Sequence, residues 1–178
     1  MTDMRPTGAG KTRIVFHAPA RGLIGYHGEF LTDTRGTGVM NRMFLDYAPH
    51  KGSVGGRTNG VLISTEQGEA VTYGLWYIEE RGKLFITTGA KVYEGMIIGQ
   101  NAKDNDLDVN PLRAKQLTNI RTTSKDEAVR LTPVTPMTLE QSIAYIGDDE
   151  LVEVTPQSIR IRKRELVPHL RKRAKAEV

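Results

Sequence analysis

The segment 48–60, APHKGSVGGRTNG, limits the possible folds of this chain more than any other feature. Its glycines, proline and polar side chains offer little to a packed core, and this is the composition of a linker or long connection. In a chain of 178 residues such a break leaves a short stretch on one side and a moderate one on the other. Two small units therefore fit better than one large core. The boundary is placed here, giving domains 1–48 and 49–178. Hydrophobic residues at 38% and charged residues at 26% are enough to build packed cores and too apolar for a wholly disordered chain.

In the first unit, TRIVFH at 12–17 reads as a strand with Ile14 and Phe16 on one face. From Ala20 to Thr34, Leu23, Ile24, Phe30 and Leu31 recur at near-helical spacing. Gly22, Gly25 and Gly28 stand three apart along this helix, which makes sense if that face packs closely on a backbone or ligand. VMNRMFLDY at 39–47 alternates like a second strand.

In the second unit, strands are expected at 60–64, 83–87, 92–100, 151–155 and 158–162. On the last of these, Ile159 and Ile161 should face inward and the arginines outward. Helices are expected at 69–81, with Gly82 as C-cap, and at 138–146, where Thr138 and Gln141 have capping-box spacing. No internal repeat points to a solenoid.

The formal charge of +4 and pI near 9.4 are mildly basic, but the basic residues are unevenly spread. Arg160, Arg162, Lys163, Arg164, Arg171, Lys172, Arg173 and Lys175 face the single acid Glu165. Such a cluster attracts polyanions, and it also describes a solvated tail. Residues 101–130 show no sustained period, which is uncommon inside a small domain unless the segment works as a loop. Asp104, Asp106 and Asp108 come first; Arg113, Lys115, Arg121 and Lys125 follow, interleaved with Gln116, Asn119 and small hydroxyls. Cations neutralise phosphate while amides and hydroxyls bond phosphate, sugar and base edges, so this composition suits RNA; it also suits a surface loop of mixed charge.

Other motifs fail. Gly8-Ala9-Gly10-Lys11-Thr12 imitates a P-loop, but Arg5 stands where its first glycine belongs, and the segment precedes a strand. Asp104 to Asp108 imitates a calcium loop, but Val109 and Lys115 replace its glycine and its terminal glutamate. His17, His27, His50 and His169 lack zinc-ligand spacing, and no serine has a nucleophile-elbow context. With no cysteine there is neither a disulfide framework nor a thiolate nucleophile, and no apolar run is long enough for a membrane helix. A soluble protein of the cytoplasm is expected. Trp76 and Tyr77 have faces that can stack on bases, but on a helix with Val71 and Leu75 they read as core or rim residues.

Three stretches, APARGLIGY at 18–26, LTDTRGTGVMN at 31–41 and FLDY at 44–47, resemble the second half of domain V in translational GTPases such as elongation factor G. VYEGMIIG at 92–99, NDLDVNP at 105–111, LTNIR at 117–121 and DDELVEVTPQSIRIRKR at 148–164 resemble the C-terminal domain of the BipA/TypA family. The resemblance implies an α+β fold: a partial ferredoxin-like (split βαβ) unit, then a β-rich, barrel-like domain with two short helices and a long basic loop. It implies a C-terminal fragment, experimental or truncated, of a ribosome-dependent GTPase. GTP and magnesium would belong to a missing N-terminal domain, with no cofactor and no catalysis in this chain. Half a split sheet predicts a poorly ordered N-terminus or pairing with another molecule, including self-association. The implied partners are the ribosome's large-subunit rRNA and the A-site tRNA, with no membrane, and the implied setting is ribosome assembly or translation under stress. A loop over 111–128 would approach the tRNA acceptor end, adding weight to Arg113, Lys115, Asn119, Arg121 and Lys125. Arg160, Arg162 and Arg164 are further nucleic-acid candidates, as are Arg21 and Arg35. The alternative is a structural module that holds its parent together without touching RNA.

Overall fold

Gly8 and Gly10 take φ of +85° and +73°, and the turn they make folds two strands onto each other. Strand β1 (Asp3–Gly8) runs antiparallel to β2 (Lys11–Val15), with Asp3 opposite Val15 and Pro6 opposite Thr12. The N-terminal residues, expected to be poorly ordered or to pair elsewhere, thus supply the partner of β2. In this computed structural model, residues 1–8, 10–52, 57–114, 130–134 and 136–176 are described, and the chain divides into units 1–56 and 57–178.

Two expectations for the first unit need correction. The helix expected over 20–34 is broken: a 3-10 turn at Ala20–Leu23 precedes α1 (Tyr26–Asp33), and Gly25 at φ +76° caps α1. A left-handed residue cannot continue a right-handed helix, so Gly25 serves as a hinge between two short elements rather than as part of a packing face. Gly28 has open space around it, so no close packing occurs at that position. The strand expected over 39–47 does not form; Val39 (78%), Met43 (90%) and Tyr47 (96%) are exposed. Alternation alone supplies no ladder bonds, and among the described residues no strand lies beside this run.

The second unit is a sheet covered on both faces. Its elements in order are β3 (Val61–Ser64), β4 (Gly68–Glu69), α2 (Thr72–Glu79), β5 (Gly82–Leu84), β6 (Lys91–Val92), β7 (Met96–Asn101) and β8 (Leu107–Val109). They are followed by α3 (Leu139–Tyr145), β9 (Glu150–Val154), β10 (Ile159–Lys163) and α4 (Pro168–Ala176). The main sheet runs β8-β3-β7-β10-β9, and β4 and β6 make a separate small ladder. Strand β7 is the axis: one edge pairs with β3, while the other is shared, Gln100 and Gly99 facing β5 and Ile97 and Met96 facing β10. Strand β8 adds to β3 in parallel, Leu62 opposite Leu107. The domain is β-rich as expected, but among the described residues its sheet is open and does not close into a barrel, and the basic tail carries a third helix, α4. Gly82 opens β5 instead of capping α2, whose cap is Glu80.

Period-two alternation sorts the apolar side chains into two cores. Leu62, Met96, Ile98 and Leu84 lie with Leu75 and Ile78 of α2. Val61, Ile63, Ile97 and Ile161 face the other way, towards Phe85, Met137, Tyr145 and Ile146. Because both faces are covered, VLIS and MIIG read as continuous apolar runs. Each fully buried Leu or Ile here contributes about 1.5–3 kcal/mol. The capping box at α3 forms as its spacing predicts: Gln141 N–H donates to the Thr138 hydroxyl at 3.3 Å, and Thr138 N–H donates to Gln141 Oε1 at 2.9 Å.

Candidate nucleic-acid interface

Helix α2, TYGLWYIE, buries Gly74, Leu75 and Ile78 and has no side-chain N-cap. Its first turn is instead held by the chain around Pro111. Val71 N–H donates to the Pro111 carbonyl at 3.0 Å, and a Cβ on Gly74 would stand only 2.5 Å from that same oxygen. Only glycine lets the two backbones come so close. An Asx turn stabilises this approach, Leu112 N–H donating to Asn110 Oδ1 at 2.8 Å, and Leu112 packs against the first core. The next residue, Arg113, is exposed, with its guanidinium 5.3 Å from the centre of the Tyr77 ring.

Beyond Arg113 the chain enters residues 115–129. Lys115, Asn119, Arg121 and Lys125, four of the five candidates for this loop, lie outside the described residues. Its return is tied to the same helix: Thr132 N–H donates to Glu79 Oε1 at 2.8 Å, and Leu131 and Val134 pack on the first core. Both ends of the basic segment are therefore mounted on α2. The acidic first part of 101–130 is built into the fold: Val61 N–H donates to Asp106 Oδ1 at 3.1 Å, and Leu107 to Val109 form β8.

Of the arginines on β10, Arg162 has an internal partner. Arg160 lies opposite Glu153 in the β9–β10 register, and the Arg162 guanidinium stands 3.0 Å from a Glu153 carboxylate oxygen. Tyr93 donates its phenolic proton to Glu153 at 2.6 Å, and burial, then this acceptor, push the Tyr93 phenol well above its ordinary range. Arg164 donates to the Asp148 carbonyl at 3.0 Å. In the first unit, exposed Arg21 donates to the Gly52 carbonyl and meets His50, while exposed Arg35 has φ +51° just after α1.

Lys163 corrects the reading of the basic cluster as one solvated run. It is 2% exposed and makes ion pairs with Asp149 at 2.8 Å and with Asp106 and Glu150 at 2.9 Å. Arg57 clasps Glu150 through two bonds of 2.5 and 2.7 Å and lies 4.7 Å from the centre of the Tyr145 ring. Burial alone would raise the Glu150 pKa and lower that of Lys163. Hydrogen bonds from Arg57, Gly147 N–H and Lys163 reverse this for Glu150, which ends below its ordinary value. Bonds to Asp149, Glu150 and Asp106 likewise leave Lys163 above its own. Burial pushes the Tyr145 phenol up to about 12. Ile161 is buried as expected, but Ile159 is 39% exposed.

Of the rejected motifs, Gly8 to Thr12 sits at the β1–β2 hairpin, without the strand-loop-helix geometry that cradles phosphate. Among the described residues no group of His, Asp and Glu is placed to hold a metal ion, and no helix is long and apolar enough to cross a membrane.

Residues 59–168 match the model of the TypA/BipA C-terminal domain, and residues 1–57 match that of the elongation factor G C-terminus. The chain is 53% identical over 175 residues, 98% of its length, to the large ribosomal subunit assembly factor BipA of Escherichia coli K12. It is 48% identical over 175 residues to that of Bacillus subtilis and 51% over 173 residues to that of Haemophilus influenzae. The chain spans 29% of the length of the E. coli and B. subtilis relatives.

Proposed function

Because the chain belongs to the TypA/BipA family, we propose that it is the ribosome-binding C-terminal region of a translational GTPase that acts in large-subunit assembly. The observation that carries this reading is the match along nearly the whole chain to relatives named as large ribosomal subunit assembly factors. In this reading GTP and magnesium are bound by another part of the intact, cytoplasmic factor, which hydrolyses GTP on the ribosome and works in assembly or under stress.

The contacts are with ribosomal RNA and the acceptor end of A-site tRNA, made first by Arg113, Lys115, Asn119, Arg121 and Lys125. Two features support this. The segment is rich in cations and amides, and its mounting on α2 places Arg113 at the surface. Arg160, Arg162, Arg164, Arg21 and Arg35 are the second set. Self-association through the incomplete sheet of the first unit belongs to the same reading, and sedimentation equilibrium of the chain tests it.

Charge reversal at Arg113, Lys115, Arg121 and Lys125 in the intact factor should lower ribosome co-sedimentation and leave folding unchanged. RNA binding by the chain should weaken steeply with salt, since several phosphate contacts release several counterions. Unchanged co-sedimentation would favour the second reading, a structural module that holds the parent's domains together. The internal pairing of Arg162 with Glu153 and of Arg171 with Asp108 favours that role for those two residues.

A further inference from the structure

Three aromatic rings stand together on the outer side of α2, and core packing does not account for them. The helix buries Leu75 and Ile78, whereas Trp76 is 38% and Tyr77 40% exposed. The rings order one another. Tyr77 lies edge-on to both Tyr73 and Trp76, with centroids 5.0 Å apart in each pair, and Tyr73 and Trp76 are 6.3 Å apart. The Tyr73 hydroxyl donates to that of Tyr77 at 3.1 Å, one helical turn away. An edge-on contact occupies a face of only one ring of the pair, so the cluster keeps π-faces that no other ring covers. Arg113 stands at its rim, over Tyr77.

We propose that Tyr73, Trp76, Tyr77 and Arg113 form a stacking platform for an unpaired nucleobase of RNA, an inference that rests on the ribosome-binding reading above. Every base has a π-face, and single-stranded RNA is gripped by aromatic side chains and guanidinium planes acting together. The charge arrangement favours RNA over a protein surface. Arg113 offers a phosphate partner, and the chain leads directly from it into the segment carrying Lys115, Arg121 and Lys125. Of the two acids at the end of α2, Glu79 accepts from Thr132 N–H, and Glu80 is exposed. Glu80 would repel phosphate, which directs the sugar-phosphate backbone to the Arg113 side.

Trp76 is the one tryptophan of the chain, so its emission reports on this site alone. The full chain is titrated with a short oligoadenylate and, separately, with inorganic polyphosphate at equal phosphate. Saturable quenching by the oligoadenylate but not by polyphosphate is expected, since only a base can stack on the indole. In a fluorescence-anisotropy titration with the same oligonucleotide end-labelled, Trp76→Leu should weaken binding roughly tenfold, while Trp76→Phe keeps most of the affinity. Tyr77→Ala is the second variant. Circular dichroism melts verify folding, because none of these changes touches Leu75 or Ile78.

Oligonucleotide binding without quenching, or unchanged by Trp76→Leu, overturns the platform and leaves the RNA-binding reading standing. No RNA binding by the wild-type chain overturns both. If Trp76→Leu binds the oligonucleotide normally while the intact factor loses its ribosome, the rings dock a protein and the proposal fails.

Discussion

Glu79, at the last turn of α2, accepts a hydrogen bond from the backbone N–H of Thr132 at 2.8 Å, across a sequence separation of 53 residues. Together with the bond from Val71 N–H to the Pro111 carbonyl, it fixes the exit and return of a long basic segment on one short helix. Helix α2 lies on a sheet with two buried faces, so the mounting is as rigid as the core beneath it.

Glu79→Ala should release the return leg without unfolding the domain. A hydrogen bond to a charged, partly exposed carboxylate is worth about 1 kcal/mol net, close to a fivefold change in a local opening equilibrium. Amide hydrogen exchange at Thr132 should speed up by roughly that factor, while amides of β3 and β7 keep their protection.

Gly74→Ala tests the entry. Alanine gains about 1 kcal/mol over glycine in a helix, but its Cβ would meet the Pro111 carbonyl at 2.5 Å. That oxygen is backbone and cannot rotate aside, and overpacking costs about 1–3 kcal/mol, so net destabilisation is expected. Urea unfolding decides the sign; a raised midpoint would mean the Pro111 segment gives way cheaply.

The Lys163–Glu150–Arg57 network predicts stability limits on both sides of neutral pH. Glu150 is held below its ordinary value, so its contribution is full above the normal carboxylate range, near pH 4.3, and is lost as pH falls through the depressed folded value. Lys163 is held above its ordinary value, so its contribution is full below about pH 10.4 and is lost as pH rises through the folded value. Melting temperature against pH should show a plateau between these flanks, and Glu150→Gln should flatten the acid one. Lys163→Met removes a cation from the buried Glu150 carboxylate and should cost about 3–5 kcal/mol in denaturant unfolding.

Thr138→Ala should cost about 1 kcal/mol by removing the acceptor for Gln141 N–H, whereas Thr138→Gly should cost only a few tenths beyond its effect on the unfolded chain. Thermal melts of the two variants, side by side, distinguish a cap from general helix propensity.

Local signals were legible in the sequence, and long-range pairings were not. Thr138 and Gln141 are three residues apart and satisfy each other, so their spacing suffices to locate α3. Alternation places Ile159 and Ile161 on one face, but it does not show that Ile159, the first residue of β10, stays 39% exposed. Lys163 continues that inward face, and its burial depends on Asp106 and Glu150, far away along the chain. Strand β8 hides inside an acidic stretch because three residues in parallel pairing leave no period. The alternation of 39–47 is real, but alternation describes a surface and not the neighbour it needs. At the proposed interface, charge alone points to Arg113. In the ring cluster it joins, Trp76 and Tyr77 read from sequence as core or rim residues and Tyr73 gives no signal, since a helical period does not say whether anything covers a ring.

The shared mounting on α2 also makes the basic segment a replaceable part. Its two feet stand at opposite ends of a helix about 12 Å long, and doubling the length of a loop between fixed feet costs only about 0.6 kcal/mol. Insertions or deletions between those feet should leave the register of the described strands unchanged. The two fixed feet thus make the length of the segment between them nearly independent of the sheet on which α2 rests.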